Sequence, residues 1–271
     1  MDELNEREPI VAGQFYPANP NQLSALLDNY LVAEQSPQPA YGVMVPHAGY
    51  PYSGAIAGKT FSRTVIPQRI ILIGPNHQGC GASCGVYSQG AWNSPLGTIA
   101  IDHCLAQSII DSDPLFSADT LSHRYEHSLE VLLPFLFTLN PNVKIVPISL
   151  RPHRYQQLEQ IAGSLARTIT DSNQSVLVVA SSDMSHFETA DVAAQQDSYA
   201  LEPLLKLDAK ELYQRVKNNA ITMCGMPAAV VMLLTSLARG ATQAELVQYG
   251  HSGEVTGDIE KVVGYAGVIV R

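Results

Sequence analysis

Imidazole and carboxylate side chains follow three separate apolar runs of the sequence. His47, His77 and the pair Asp183 and His186 each come just after a short run of β-branched and other aliphatic residues. Such runs are typical of strands buried on both faces of an α/β sheet, and open α/β sheets bind ligands at the carboxyl ends of their strands. The pattern therefore predicts that these side chains converge at one edge of a sheet, where they would suit a metal ion.

His47 and His77 each lie in a tight turn. Glycine accompanies both of them, and its small size lets a backbone approach a ligand closely. Taken alone, each histidine is equally consistent with a structural role in its turn. Because adjacent βαβ connections would place the two strand ends side by side, we predict that the pair supplies two ligands to one metal ion.

Asp183 and His186 belong to the segment Ser181-Ser-Asp-Met-Ser-His186. A carboxylate can bind a metal or orient a histidine, and a histidine beside a metal can act as a general acid or base. Ser181 and Ser182 are interpreted as caps of the helix that follows. Asp183 and His186 exceed the needs of capping, and we predict that they are catalytic residues around the metal.

Cys224 stands just ahead of an apolar helix that begins near Pro227. The dipole at a helix N-terminus lowers the pKa of a thiol, so the position predicts a thiolate that serves as a ligand or nucleophile. The alternative is a small buried hydrophobic residue, which is the commoner role of a lone cysteine.

His127 is a further candidate catalytic residue. It has Glu126 before it and Glu130 after it, at the start of another apolar helical pattern. These carboxylates either polarise His127 or favour the positive end of the helix.

Strands and helices alternate along the chain. Apolar runs predict strands at Tyr41–Val45, Ile70–Ile73, Val143–Ile148, Val176–Ala180, Leu246–Tyr249 and Val262–Val270. Apolar residues spaced by three and four predict helices at Asn21–Leu31, Ser53–Arg63, Ser128–Leu139, Tyr155–Thr170, Ala190–Leu205 and Pro227–Arg239. The glycine-containing segment Gln78–Ile101 predicts an antiparallel hairpin. Together these elements predict one domain over residues 1–271, a three-layer α/β/α sandwich around a mostly parallel, mixed sheet with a hairpin excursion.

The composition limits the partners and the cellular location. The 271 residues are 46% hydrophobic, enough for a large core, and the formal net charge is -9, which disfavours nucleic acid and anionic membrane surfaces and favours neutral or cationic ligands. We expect no signal peptide and no membrane span, because the acidic start lacks an apolar segment and no apolar run approaches about 20 residues. Four cysteines without disulfide-like spacing complete the expectation of a cytoplasmic protein.

The motifs resemble those of the Memo family, which is related in fold to the LigB-type extradiol ring-cleaving dioxygenases. The resemblance runs nearly from end to end, in this order: Pro9-Ile-Val-Ala-Gly-Gln-Phe-Tyr-Pro17, Pro46-His47-Ala-Gly-Tyr50, Gly74-Pro-Asn-His77, Glu126-His127-Ser128, Ser182-Asp183-Met-Ser-His186 and Met223-Cys224-Gly225. It implies an α/β/α sandwich with a metal pocket. The implied metal ligands are His47, His77 and Cys224, with Asp183, His186 and His127 around them.

A thiolate ligand separates this chain from the dioxygenases. Those enzymes hold iron(II) with two histidines and a carboxylate, whereas sulfur shifts metal preference towards copper(I), zinc or a modified iron site. Asp183 is an alternative third ligand, although its position does not match the dioxygenase glutamate. Where many family members have a basic residue after Cys-Gly, this chain has Met226, which weakens any anion-binding role there.

Three functions are consistent with these residues. The first is a site for iron(II), or else copper or zinc, with redox or dioxygenase-like chemistry on a small molecule, in which His127 or His186 takes a substrate proton. The second is a zinc-dependent hydrolase with Asp183 or His186 as base. The third is a non-catalytic module that binds a peptide or small ligand in the same pocket, as the resemblance suggests through eukaryotic Memo proteins linked to receptor-tyrosine-kinase signalling. A phosphorylated ligand would need basic residues around the pocket, and the motifs supply none, with Arg124 as the exception.

Overall fold

The computed structural model describes residues 6–31 and 36–271. The strands are β1 Glu6–Arg7, β2 Gly42–Val45, β3 Arg69–Pro75, β4 Cys84–Val86, β5 Ala91–Ser94, β6 Gly97–Ile101, β7 Ser117–Ala118, β8 Lys144–Leu150, β9 Val176–Ser181, β10 His186–Glu188, β11 Ala244–His251 and β12 Val262–Val270. The α-helices are α1 Pro20–Tyr30, α2 Tyr50–Ser62, α3 His103–Ser112, α4 Leu133–Leu139, α5 Tyr155–Asp171, α6 Ala190–Leu205, α7 Ala209–Asn218, α8 Met226–Ala238 and α9 Gly253–Thr256. Short 3-10 helices occur at Leu121–His123 and Glu130–Leu132.

One mixed sheet forms the centre of the molecule. Its order is β1-β5-β6-β8-β3-β9-β2-β12-β10, with β11 paired to β12 and β4 paired to β8. The strands β6, β8, β3, β9 and β2 run parallel to one another, whereas β5 is antiparallel to β6, β4 to β8 and β12 to β2. Helices cover both faces, with α5 and α8 on one and α1, α2 and α4 on the other. This is the predicted α/β sandwich.

The parallel strands are buried on both faces because their residues are aliphatic throughout. Each residue of β2 and β9 is buried, and so is each residue of β3 after Arg69. The core that they form is continuous with the helices on both sides. Polar side chains of the candidate site come at or just beyond the carboxyl ends of these strands, as Ser181 does at the end of β9.

The predicted hairpin is confirmed within Gln78–Ile101, since β5 and β6 pair antiparallel with Trp92 opposite Ile99. The predicted helix Ser128–Leu139 is too long. Its α-helical part is only α4, and a 3-10 turn precedes it. Pro134 explains the late start, because proline has no N–H to donate and fits only in the first turn of an α-helix.

Within residues 6–31 and 36–271, no helix combines the length and the apolar character needed to cross a membrane.

Candidate metal centre

The candidate centre lies at the carboxyl ends of β2, β3 and β9. The prediction that the ends of β2 and β3 lie side by side is wrong in one respect, because β9 pairs with both and lies between them. Local sequence patterns do not determine strand order. The consequence is that the segment containing Asp183 follows the strand between β2 and β3, while the rings of His47 and His77 meet edge to face with centroids 5.3 Å apart.

A hydrogen-bond chain orients His47. Ser181 donates its hydroxyl proton to the carbonyl oxygen of Ser128 at 2.7 Å, and its Oγ lies 2.8 Å from His47 Nδ1. Since that proton is already used, Ser181 accepts from His47, and Nδ1 must carry the hydrogen. The other ring nitrogen, Nε2, is then the one with a free lone pair. Burial lowers the pKa of His47 well below its ordinary value, and the charges of His77 and His127 lower it further.

A buried carboxylate orients His77 in the same way. Glu126 accepts from His77 Nδ1 at 2.9 Å and from the His77 backbone N–H at 2.7 Å. It also accepts from the backbone N–H of Ser128 at 2.9 Å. Ser128 and Leu129 can pack this closely because residue 74 is a glycine. A Cβ at that position would collide with their side chains. A carboxylate that holds Nδ1–H of a histidine, and so frees Nε2, is the usual support of a metal ligand.

The same contacts explain the charges of this pair. Burial acts to raise the pKa of Glu126, but the hydrogen bonds from His77 and Ser128 and the charge of His77 outweigh it and lower that pKa to about 2. Burial also acts to lower the pKa of His77, and its hydrogen bond with Glu126 reverses the direction and raises it. Glu126 is therefore ionised at neutral pH and acts only as an acceptor.

Cys224 approaches His47 from the loop before α8. Its Sγ lies 3.4 Å from His47 Nε2. Gly225 makes this approach possible, because a Cβ there would collide with the backbone of Ser181 and Ser182, and its N–H donates to Ser182 Oγ at 3.1 Å. The prediction that the helix dipole lowers the pKa of this thiol is wrong: burial raises it, and the nearby charge of Asp183 raises it further.

The three predicted ligands come together. His47, His77 and Cys224 each offer one ligating atom, and these atoms lie within 4.8 Å of one another. A second group with the same property contains His77, Glu126 and His127, but the oxygens of Glu126 are already occupied by the hydrogen bonds to His77 and Ser128. The first group retains its unshared electron pairs. That these three bind a metal stays a prediction.

Asp183 and His186 lie beside this group. Asp183 Oδ1 accepts from the backbone N–H of His47 at 2.8 Å, and its Oδ2 lies 3.9 Å from His47 Nε2. Burial raises the pKa of Asp183, and the hydrogen bond from His47 partly offsets this. His186 Nδ1 lies 2.9 Å from the carbonyl oxygen of Thr222, so Nδ1 carries the hydrogen and Nε2 is free. Neither residue belongs to the groups of clustered ligands among the described residues.

His127 covers the other side of His77. The two rings are stacked, with centroids 5.1 Å apart and planes 13° apart. His127 Nδ1 lies 3.7 Å from Glu126, and Phe15 packs against its ring at 4.9 Å. Burial lowers the pKa of His127. The predicted catalytic residue thus forms a wall of the centre.

Three residues of the centre, Ser181, Ser182 and Glu126, were assigned other roles from the sequence. Ser181 and Ser182 do not cap the following helix, because Thr189 does so. Ser181 instead fixes the tautomer of His47. Glu126 supports His77, which is 49 residues away in sequence, more closely than its neighbour His127. Ser181 ends a buried strand and is not needed as a helix cap. This surplus polar side chain was the sequence signal that could have assigned Ser181 to the site.

A family model described as Memo-like protein matches residues 7–269. The chain belongs to the Memo family. A MEMO1 family protein of Methanosarcina barkeri is 38% identical over 98% of this chain and 100% of its own length. A MEMO1 family protein of Aquifex aeolicus is 39% identical over 98% of this chain and 99% of its own length. The resemblance inferred from the motifs is thereby confirmed.

A solved structure shares the fold. An uncharacterized protein of Escherichia coli K12 superimposes with a TM-score of 0.52 at 14% identity, over 83% of this chain and 98% of that one. At this identity the likeness concerns the fold alone.

Proposed function

We propose that this Memo-family protein binds a metal ion through His47, His77 and Cys224 and performs redox chemistry on a small molecule. Iron(II) is the first candidate, and copper and zinc are the alternatives. The observation that carries the proposal is the paired orientation of the histidines. Ser181 holds Nδ1 of one and Glu126 holds Nδ1 of the other, so both Nε2 atoms keep a lone pair, and that of His47 lies 3.4 Å from the Cys224 thiol.

The donor set fits a metal ion. With metal–nitrogen and metal–sulfur lengths of about 2.0 and 2.3 Å, tetrahedral ligands would lie roughly 3.5 Å apart. The separation of Cys224 Sγ and His47 Nε2 is 3.4 Å. A thiol with a raised pKa still loses its proton on metal binding, because the metal replaces the proton and favours the thiolate. Two imidazoles and a thiolate suit iron, copper and zinc.

The surrounding residues would handle protons. A bound iron or copper ion would supply redox chemistry and Lewis acidity. His186 offers Nε2 as a proton acceptor, because its Nδ1–H is held by Thr222. His127 offers a second basic group at the opposite wall, beside His77. Asp183 accepts a hydrogen bond from the backbone N–H of His47 and would therefore help to position this ligand.

The zinc-dependent hydrolase remains the rival function. Three protein ligands with a further position open to solvent is the usual arrangement of catalytic zinc, and His47, His77 and Cys224 would provide the three. Asp183, close to His47 Nε2, would then serve as base. Turnover that persists with zinc alone, without oxygen, would favour hydrolysis over redox chemistry.

Metal content tests the proposal. The wild type, His47→Ala and Cys224→Ser are purified anaerobically, and their metals are measured by plasma mass spectrometry. We expect about one ion per wild-type chain and a strong loss in both variants, because each removes a ligand. His103→Ala is the matched control, since His103 is an exposed histidine outside the cluster, and it should retain the metal.

Cobalt substitution identifies the thiolate. A cobalt-loaded wild type should show thiolate-to-metal charge-transfer absorption, which Cys224→Ser should lose while His103→Ala keeps it. Equal metal content in His47→Ala and the wild type would refute the proposed ligand set.

A further inference from the structure

A pocket of about 460 Å³ opens beside the candidate metal centre. It lies between the ends of β3 and β8 and the segment from α7 to α8. His77 and Cys224, two of the proposed ligands, are among its lining residues. The volume falls within the range of about 300–1,000 Å³ that is typical of small-molecule sites. A molecule in this pocket would therefore lie beside two of the proposed metal ligands.

The walls of the pocket are mainly aliphatic. The described lining side chains that provide this surface are Leu150, Val216, Ile221, Met223, Met226 and Pro227. Methionine adapts to irregular ligand shapes. The aliphatic surface predicts a ligand with an apolar body.

The charge of the pocket is unusual for this chain. Its described lining contains no Asp or Glu, although the whole chain has a net charge of -9. Four other pockets, of about 330–470 Å³, each include at least one carboxylate. Of these five pockets, the one beside the centre has the lining that would least repel an anion.

Lys217 supplies a positive charge at this pocket. Its Nζ lies 3.2 Å from Tyr213 Oη and 5.4 Å from the centre of the Tyr213 ring, and Tyr213 donates to the His153 carbonyl. Arg215 on the same helix is paired with Glu202 and Glu211. Lys217 has no carboxylate within ion-pair distance among residues 6–31 and 36–271.

We propose that the pocket binds a small aliphatic monocarboxylate, with its carboxylate at Lys217 and its apolar chain directed towards His77 and Cys224. A single ammonium group matches one carboxylate, whereas a phosphate usually needs several cationic groups or an arginine fork. The identification of this ligand as substrate rests on the proposed metal function. The binding itself does not.

Methionine methyl signals test this binding in the full-length, metal-free protein. Hexanoate, hexanamide and hexylamine serve as probes, and the protein carries ¹³C-methyl methionine. Hexanoate should shift the signals of Met223 and Met226, while Met44 and Met232, which are buried in the core, stay unchanged. Hexylamine should bind more weakly than hexanoate.

Variants assign the charge. Lys217→Leu should weaken hexanoate binding about fivefold, the effect of about 1 kcal/mol, and leave hexanamide binding unchanged. Lys217→Arg should preserve hexanoate binding. Lys210→Leu, on the same helix and outside the pocket lining, is the control and should match the wild type.

The proposal is overturned if none of the probes moves the Met223 and Met226 signals, if hexylamine binds as tightly as hexanoate, or if Lys217→Leu weakens hexanoate and hexanamide equally. Because this experiment uses no metal, its result is separable from that of the metal analysis. Loss of metal in His47→Ala together with unmoved methionine signals would refute only the pocket ligand. Hexanoate binding that depends on Lys217, together with equal metal in His47→Ala, would refute only the metal site.

Discussion

Two buried polar clusters lie close together in this protein and differ in how far their hydrogen-bonding groups are satisfied. In the first, the carboxylate of Glu130 accepts from Arg7, from Tyr16 and from the backbone N–H groups of Ile10 and Val11. Its bonds to Arg7 and Tyr16 are 2.8 and 2.9 Å long. Both oxygens of the carboxylate have hydrogen-bond partners, so this carboxylate has no lone pair left over for a ligand.

The second cluster is the candidate metal centre. Ser181 and Glu126 satisfy one nitrogen of each histidine, while the thiol of Cys224 lies 3.4 Å from the other nitrogen of His47 and a ligating atom of His77 lies within 4.8 Å of both residues. Saturated buried groups stabilise a fold, whereas groups held in place with a free lone pair are ready to bind. The first cluster also supports the second, because Arg7 donates to the Glu126 carbonyl at 2.8 Å.

Removal of the saturated carboxylate should have the largest effect. Glu130→Ala leaves the Arg7 guanidinium buried without its counter-ion, and we expect a loss of about 3–5 kcal/mol in the free energy of unfolding. Urea denaturation of the metal-free protein measures it. Glu211→Ala is the control, because Glu211 forms a surface pair with Arg215 and should cost about 1 kcal/mol or less. Equal losses in the two variants would contradict the structural role of Glu130.

The contrast also shows how much the sequence could predict. The strands β2, β3 and β9 were predictable because their residues are aliphatic without interruption, and His47, His77 and Asp183 follow from where those runs end. The short helix α7 was not predicted, although its buried residues Ala209, Leu212, Tyr213 and Val216 have the three- and four-residue spacing of an amphipathic helix.

The supports of the site required tertiary structure. The pairing of His77 with Glu126 depends on the close approach at Gly74, and that of His47 with Ser181 on the position of β9 between β2 and β3. Neither leaves a local pattern. Cys224 was predicted as a ligand or nucleophile from its place before a helix, and the family resemblance made it a metal ligand. The helix-dipole argument gave the wrong direction for the pKa of its thiol.

The ionisation of Glu126 gives a second, smaller effect that depends on pH. Its pKa is lowered from the ordinary value of 4.5 to about 2. A lowered carboxyl pKa contributes stability that is fully present above about 4.5 and is lost as the pH falls towards 2. The full contribution is about 3 kcal/mol.

Glu126→Gln tests this contribution. The free energy of unfolding of the wild type, measured by urea denaturation without metal, should fall between pH 5 and pH 2 more steeply than that of the variant. The control is Glu202→Gln, at an exposed carboxylate whose ion pairs are screened by water, where the slope should stay close to that of the wild type. Parallel curves for the wild type and Glu126→Gln would show that the hydrogen bonds to His77 and Ser128 do not depend on the charge.

Ser181→Ala should have the smallest effect and gives the most specific test of the contrast between the clusters. Without the hydroxyl, His47 Nδ1 loses its acceptor, and the preference for a lone pair on Nε2 should weaken. Loss of such an outer partner typically costs a metal site 10–100-fold in affinity, and we expect roughly the lower value because Cys224 and His77 remain.

Nitrogen-15 imidazole spectra of the metal-free protein report the tautomer, and competition with a chelator reports the affinity. Ser236→Ala, at a buried serine of α8 whose hydroxyl hydrogen-bonds only to Met232 of the same helix among the described residues, should change neither. If Ser181→Ala leaves both the tautomer and the affinity unchanged, the hydroxyl serves packing alone, and the free lone pair of His47 must be fixed by the approach of Cys224 instead.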